Sequence, residues 1–313
     1  MDVKIIFYTL LSYAVIMLLG VFVTKIRFCD ATAAKAFGNI ASVVTTPLLM
    51  IWAFQHDNSA LYKSAFWNIF AVSLGVHIVL AIFSALIFKP LRKKDSDSEV
   101  RGRLYQYACT FGSSSVLGFP IAYAINGMDG VFFCAAFVAG AILVSNTYGI
   151  FLLTNTETRP NVFRVILSPA ILLVAIGVMM FILGIKIPQI VLTPLGTLGA
   201  LTYPLATLGL GARLATVPMK EYIKQFEMVV IIVAKMIMIP LAMAAISRVF
   251  NLQHNTTLYC VLMASFPTAF ELPTLAKNYK LNTSLATAIP AISLLASVIS
   301  VPFVMWLSES LLK

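Results

Sequence analysis

The chain has 313 residues, 60% of them hydrophobic and only 11% charged, with a mean hydropathy of +0.94; ordinary soluble chains carry about 25% charged residues. So little polar surface could not cover a soluble core, and the long apolar runs do not alternate as barrel strands do, so an all-α integral membrane protein is expected. The formal charge of +10 comes without a nucleic-acid motif or a nucleotide-binding loop, and Cys29, Cys109, Cys134 and Cys260 lack metal-type spacing, so no cofactor, metal or nucleic-acid partner is expected.

At roughly 20 apolar residues per span, ten spans are expected, near 4–24, 37–55, 66–88, 105–126, 130–153, 165–185, 190–212, 226–249, 257–276 and 285–308. The first run, Ile5–Val23, lacks a small-x-small cleavage pattern and is followed by Thr24-Lys25-Ile26-Arg27, which reads as a retained span. With the N-terminus outside, sixteen Lys and Arg residues fall on the inner side, five on the outer side, and Lys235 lies within a span. That asymmetry favours both termini outside a plasma membrane. The polar linker Lys89–Arg103 is then cytoplasmic, and a solvated loop beside anionic lipid accounts for it.

Two of the spans contain helix breakers. Phe111–Gly130 carries Ser113, Ser114, Ser115, Gly118 and Pro120; Ala264–Asn282 carries Thr268, Glu271 and Pro273. Pro120 and Pro273 are expected to break helices 4 and 9, because proline lacks an N–H and clashes with the preceding turn. The prolines are 153 apart, and Pro47 and Pro204, which lie near the ends of the similar stretches 37–49 and 195–206, are 157 apart. An offset near half the chain, with five spans in each half, predicts two inverted repeats, 1–154 and 155–313. Interrupted spans at matching places in two halves point to a transporter's binding site. The plainer reading is a pair of proline kinks without a site.

Four motifs carry a family resemblance across the whole chain. They are Phe37-Gly38-Asn39 with Pro47-Leu48-Leu49, Gly118-Phe119-Pro120 with Asn126-Gly127-Met128-Asp129, Ala234–Pro240, and Pro267-Thr268-Ala269-Phe270 with Leu275-Ala276-Lys277-Asn278-Tyr279. In this order the chain resembles the auxin efflux carrier family in its short prokaryotic form and, more distantly, plant PIN auxin transporters. The resemblance implies a scaffold of spans 1, 2, 6 and 7. It also implies a mobile bundle of spans 3–5 and 8–10, with crossover helices 4 and 9 carrying substrate by an elevator-like movement. It further implies small carboxylates such as malate or malonate as substrates, with an auxin-like monocarboxylate exporter as the alternative, and a scaffold-mediated homodimer. The long cytoplasmic loop of plant members is absent. By the same resemblance spans 2 and 5 flank the substrate, which puts Thr45, Thr46 and Asn146 near it; ordinary interhelical hydrogen bonding is the rival.

The residues suggest a division of labour. Half-helices that start at a break aim N–H groups and a positive dipole end inward, where an anion can bind. The serine-rich break, with Ser113, Ser114, Ser115, Gly118 and Pro120, is expected to cradle the carboxylate; Thr268 and Pro273 line the other break. Lys235, about nine residues into its span, is a charge at membrane depth and so a functional candidate. Glu271 is expected to pair with Lys235 or to take a coupling proton; sodium is the other coupling ion. His77 is a candidate for proton or substrate contact against a packing role. Two other classes compete: an intramembrane hydrolase using Ser113 and His77, and a membrane sensor that binds without moving its ligand. The first needs nucleophile and base within hydrogen-bond reach. No enzyme activity is expected.

Overall fold

The computed structural model describes residues 2–28, 30–90, 96–154, 161, 167–249 and 253–312. Every regular element among them is helical, and their one strand-like feature is an isolated antiparallel bridge between Gly112 and Thr268. Cys29 and five of the cations assigned to the inner side (Arg92, Lys93, Lys94, Arg159 and Arg164) lie outside the described residues, as does Lys313.

The first half opens with α1 (Val3–Lys25), which starts behind the Asp2 side chain and ends on a lysine suited to a helix C-terminus. Asp30 caps α2 (Ala31–Asn39) by accepting the N–H groups of Ala33 at 2.8 Å and Thr32 at 2.9 Å. Those bonds, Ala33's foremost, hold its carboxyl below the usual carboxylate range. A π-helical stretch, Ile40–Thr45, joins α2 to α3 (Thr46–Ala53). Its wider winding is filled locally: the Thr46 hydroxyl donates to the Ala41 carbonyl at 2.7 Å. Next come α4 (Ala60–Phe88), α5 (Ser96–Thr110) and α6 (Ser114–Val144), with a second π stretch, Ser145–Gly149, leading into α7 (Ile150–Leu153). α6 is kinked at Asn126 and Gly127, where Gly127 takes φ +56°, a value that strains any side-chain-bearing residue.

The second half contains α8 (Pro169–Leu183), α9 (Gln189–Ala200), α10 (Thr202–Leu214), the short α11 (Met219–Tyr222) and α12 (Phe226–Val230). A π stretch, Ile231–Met238, follows, then α13 (Ile239–Val249), α14 (His254–Ser265), α15 (Leu272–Asn278) and α16 (Thr283–Leu312). Among the described residues, seven helical stretches are long and apolar enough to cross a membrane: Val3–Lys25, Ala36–Ala53, Ala60–Phe88, Ser114–Leu153, Gln189–Leu214, Phe226–Arg248 and Thr283–Leu312. These stretches do not map one to one onto the ten expected spans, two of which were expected to be broken. Spans 4 and 5 share the stretch Ser114–Leu153, whose separation is the kink at Gly127. Span 3 begins earlier than expected, at Ala60, because Tyr62, Lys63 and Ser64 continue its first turns.

The two interruptions are real but lie elsewhere than the prolines suggested. The first is at Phe111–Ser113, and Pro120 sits inside α6. The Gly112–Ser115 run is what yields: glycine and serine are poor helix interiors, and serine side chains can replace backbone partners. The second runs from Phe266 to Glu271, where Pro267 removes an N–H. Pro273 does not break a helix but sits in the first turn of α15, where proline is favoured.

Tight helix crossings build the core. α1 packs on α10 through Gly20 and Gly211; a Cβ on Gly211 would lie 1.9 Å from the Met17 carbonyl oxygen, and one on Gly20 2.3 Å from that of Leu208. Small residues permit such backbone approach, as membrane helix pairs require. α16 runs through the centre, its apolar window 72% buried, whereas Gln189–Leu214 is 22% buried and turns its apolar surface outward. Outward apolar faces fit lipid as solvent, since exposing them to water instead would cost about 25 cal/mol per Å².

Candidate functional site

The two interruptions meet and satisfy each other. Ser113 N donates to the Pro267 carbonyl at 2.7 Å, and Ala269 N donates to the Phe111 carbonyl at 3.1 Å. The Ser113 hydroxyl donates to the Thr268 carbonyl at 2.8 Å and accepts from Phe270 N at 3.0 Å. Thr268 N donates to the Ser293 hydroxyl at 3.1 Å, and the Lys235 Nζ donates to the Phe266 carbonyl at 2.6 Å. Non-helical backbone at membrane depth is tolerated only when its polar groups find partners in this way.

Beside this junction lies a cavity of about 700 Å³. Its walls come from the π stretch after α2, from His77, Tyr107 and Phe111, from Ser114 and Ser115 at the start of α6, from the π stretch around Asn146, from the end of α10, and from residues 270–278. No residue of 48–76, 117–137 or 175–205 lines it, so it belongs to one end of the bundle.

The opposite end is closed. His56 Nε2 lies 2.9 Å from Asp129 Oδ1, and the Tyr62 hydroxyl donates to the same oxygen at 2.8 Å. Lys186 Nζ donates to the His56 carbonyl, and Ile187 N to Gln55 Oε1 at 2.8 Å. Rings pack beneath these contacts, with Phe132 4.9 Å from His56 and 4.8 Å from Phe181. Three connections, 54–59, 126–130 and 184–188, are thus tied together. Replacing Asp129 by alanine releases both the His56 and the Tyr62 contacts, so the buried thiols Cys134 and Cys260 should react with a maleimide several-fold faster. Unchanged labelling rates in peptide mass analysis would show that this polar tie does not hold the end shut.

The expected site residues divide into two groups. Ser114, Ser115, Thr46, Asn146, Pro273, Glu271 and His77 line the cavity. Ser114 and Ser115 head α6, so helix geometry leaves their N–H groups without an intrahelical acceptor. Asn146 Nδ2 donates to the Ile142 carbonyl at 3.1 Å. Ser113, Thr268, Gly118, Pro120, Thr45 and Lys235 do not line it. Ser113 and Thr268 are consumed in the junction. Gly118 makes room for packing: a Cβ there would lie 2.7 Å from the Cys134 sulfur. Thr45 accepts a hydrogen bond from Thr202 at 2.8 Å instead of facing the cavity.

Lys235 and Glu271 do not pair. Lys235 is 1% exposed and holds Phe266, while Glu271 accepts from the Tyr107 hydroxyl at 3.2 Å. His77 Nδ1 sits 2.7 Å from the Ser73 carbonyl, so that nitrogen carries the proton, and the ring stacks on Phe111 at 5.8 Å. Ser113 and His77 share no hydrogen bond, and the Ser113 hydroxyl is already engaged on both sides, which removes the geometry a nucleophile–base dyad needs.

Arg213 was missed by the sequence reading. Counted only as an inner-side cation, it sits in the last turn of α10 and lines the cavity. Its Nη2 donates to the Thr274 hydroxyl at 3.0 Å, and it forms no ion pair among the described residues. One signal was available: Gly209, Leu210, Thr216 and Val217, its helical neighbours, include no carboxylate to neutralise it. Tyr107, Thr274, Asn39 and Asn278 were missed as well and share the same wall.

Long apolar helices, two interrupted ones joined at their breaks, and a cavity confined to one end, with charged and polar side chains set in a largely apolar wall, define a multi-pass helical membrane transporter. The chain belongs to the membrane transport protein family, that of the auxin efflux carriers, whose family model matches residues 5–305. Comparison with curated proteins finds no match.

Proposed function

We propose that this protein is a secondary active transporter of small organic anions, moving carboxylates across the plasma membrane by alternating access. The observation that carries the reading is Arg213: a guanidinium lining a membrane-protein cavity with no carboxylate partner among the described residues. Arginine's planar fork suits a carboxylate, and charge-assisted pairs of this kind are about twice as strong as neutral hydrogen bonds. The free N–H groups of Ser114 and Ser115 add a second anion-favouring element in the same cavity. Malate and malonate are the test substrates that the family resemblance suggests; an auxin-like monocarboxylate is the alternative.

Ten spans in two inverted repeats, 1–154 and 155–313, remain the architecture we favour. Two contacts support it. Thr45 and Thr202, 157 residues apart, touch through their hydroxyls, and Ser113 and Thr268, 155 apart, are bonded at the junction. Positions equivalent in two repeats meet where a pseudo-twofold axis passes. In this reading spans 4 and 9 are crossover helices, and spans 3–5 and 8–10 move against spans 1, 2, 6 and 7 as an elevator. The closed end at His56 and Asp129 is the outer one, both termini lie outside, and the cavity faces inward. Glu271 is the carboxylate placed to take a coupling proton, with sodium as the other coupling ion.

The test is uptake of labelled mono- and dicarboxylates by proteoliposomes, with imposed proton or sodium gradients. Saturable, gradient-dependent flux is the expected result. Tight carboxylate binding without flux under any gradient would make the protein a sensor instead.

A further inference from the structure

The cavity holds two formal charges of opposite sign, and neither is neutralised by the protein. Arg213 and Glu271 both line it, and neither forms an ion pair among the described residues. Thr274 joins them: its hydroxyl receives Arg213, and it lies three residues after Glu271, one turn along the same segment. Glu271 precedes α15 as its N-cap, with Thr274 N–H donating to its carbonyl at 2.9 Å, so the two side chains are held in fixed register. Tyr107 donates to Oε1 of Glu271 at 3.2 Å, and Oε2 has no partner among the described residues.

A purely anionic substrate would satisfy Arg213 and place its charge near a second carboxylate, which is unfavourable unless Glu271 is protonated. A substrate that also carries an ammonium removes that conflict, because each of its charges meets the opposite one. Val138, Ile142, Ala206 and Leu210 form an apolar part of the wall. They offer no partner to a second carboxylate but can cover a hydrocarbon side chain. We propose that the substrate is a zwitterionic amino acid with an apolar side chain, its carboxylate on Arg213 and Thr274 and its ammonium on Glu271. This rests on the carboxylate reading of Arg213 and narrows it away from diacids.

The experiment compares uptake by wild-type proteoliposomes of leucine, 4-methylpentanoate, 2-hydroxy-4-methylpentanoate and malonate, after subtracting flux into protein-free vesicles. The first three share one skeleton and differ only in the group beside the carboxylate. Leucine is expected to enter at least tenfold faster than the other three at equal sub-saturating concentration. Glu271→Gln should lower the ratio of leucine to 4-methylpentanoate uptake at least tenfold. Equal or faster uptake of 4-methylpentanoate or malonate overturns the amino-acid proposal and leaves the carboxylate reading intact. Equal uptake of the hydroxy acid also overturns it, since a neutral donor then suffices. No flux with any of the four overturns both readings. If Glu271→Gln does not fold, the wild-type ratios still decide.

Discussion

Arg213→Gln is expected to abolish carboxylate uptake by proteoliposomes while the purified protein melts close to the wild-type temperature. Glutamine keeps a hydrogen-bond donor for Thr274 but cannot match a carboxylate with two parallel N–H groups or with charge. Truncating one partner of a desolvated charge pair costs about 2–5 kcal/mol, which at 1.4 kcal/mol per tenfold corresponds to a roughly 30- to 3,000-fold loss of apparent affinity. The folded protein loses little, because the Arg213 side chain makes one hydrogen bond among the described residues, the 3.0 Å bond to Thr274. Thr274→Val separates the two roles. It removes the tie but leaves the guanidinium, so uptake should fall by about tenfold or less, the worth of one hydrogen bond. If Thr274→Val is as damaging as Arg213→Gln, then Arg213 works by tying α10 to α15 and the anion lies elsewhere.

Lys235→Met is expected to impair uptake strongly with little change in stability. Two opposing effects of similar size set the stability. Losing Nζ leaves the Phe266 carbonyl without its 2.6 Å donor, a cost of about 1–3 kcal/mol for a buried unsatisfied group. Replacing a buried amine head by a thioether removes a desolvation penalty of comparable size; insertion scales put a lysine at the centre of a membrane helix at about 2.5–3.5 kcal/mol. Function is not balanced in that way. Lys235 anchors Phe266 at the start of the Phe266–Glu271 interruption and lies against Gly112, where a Cβ would come within 3.0 Å of Nζ. It therefore positions both interruptions at once without touching the cavity. The signature of positioning is a raised KM together with a lowered maximal rate, measured on protein whose melting temperature is within a few degrees of wild type. A large fall in melting temperature, proportional to the lost uptake, would reduce Lys235 to a stability residue.

The amino-acid sequence by itself determined the class of this protein and the neighbourhood of its site. An 11% charged chain with runs of about twenty apolar residues has no soluble solution, because water offers no way to cover that much hydrocarbon. Breakers at matching places in the two halves marked the segments that meet, since a non-helical stretch in a membrane must find partners and another non-helical stretch can supply them. Ser114, Ser115, Glu271 and Pro273 lie in those segments and line the cavity; Thr46 and Asn146 were pointed to by the family resemblance, and His77 by being a titratable group within span 3.

Tertiary structure decided which atoms face the cavity and which are consumed in building it. Ser113 and Thr268 looked like their serine and threonine neighbours in sequence. They differ only because the antiparallel bridge at Gly112 and Thr268 takes up their hydrogen bonds. Pro120 and Pro273 looked like the breaks, yet Pro120 lies inside α6 and Pro273 opens α15: where a helix opens depends on which backbone groups find partners across the bundle, and local propensity does not carry that information. Arg213 counted as an inner-side charge until α10 was seen packed beside α2 and the Thr274 hydroxyl placed at its guanidinium. The partners of a charged side chain are set by distances in the fold: the group that meets Arg213 is Thr274, 61 residues away in sequence. For that reason the unpaired cation of this site emerged only from the fold.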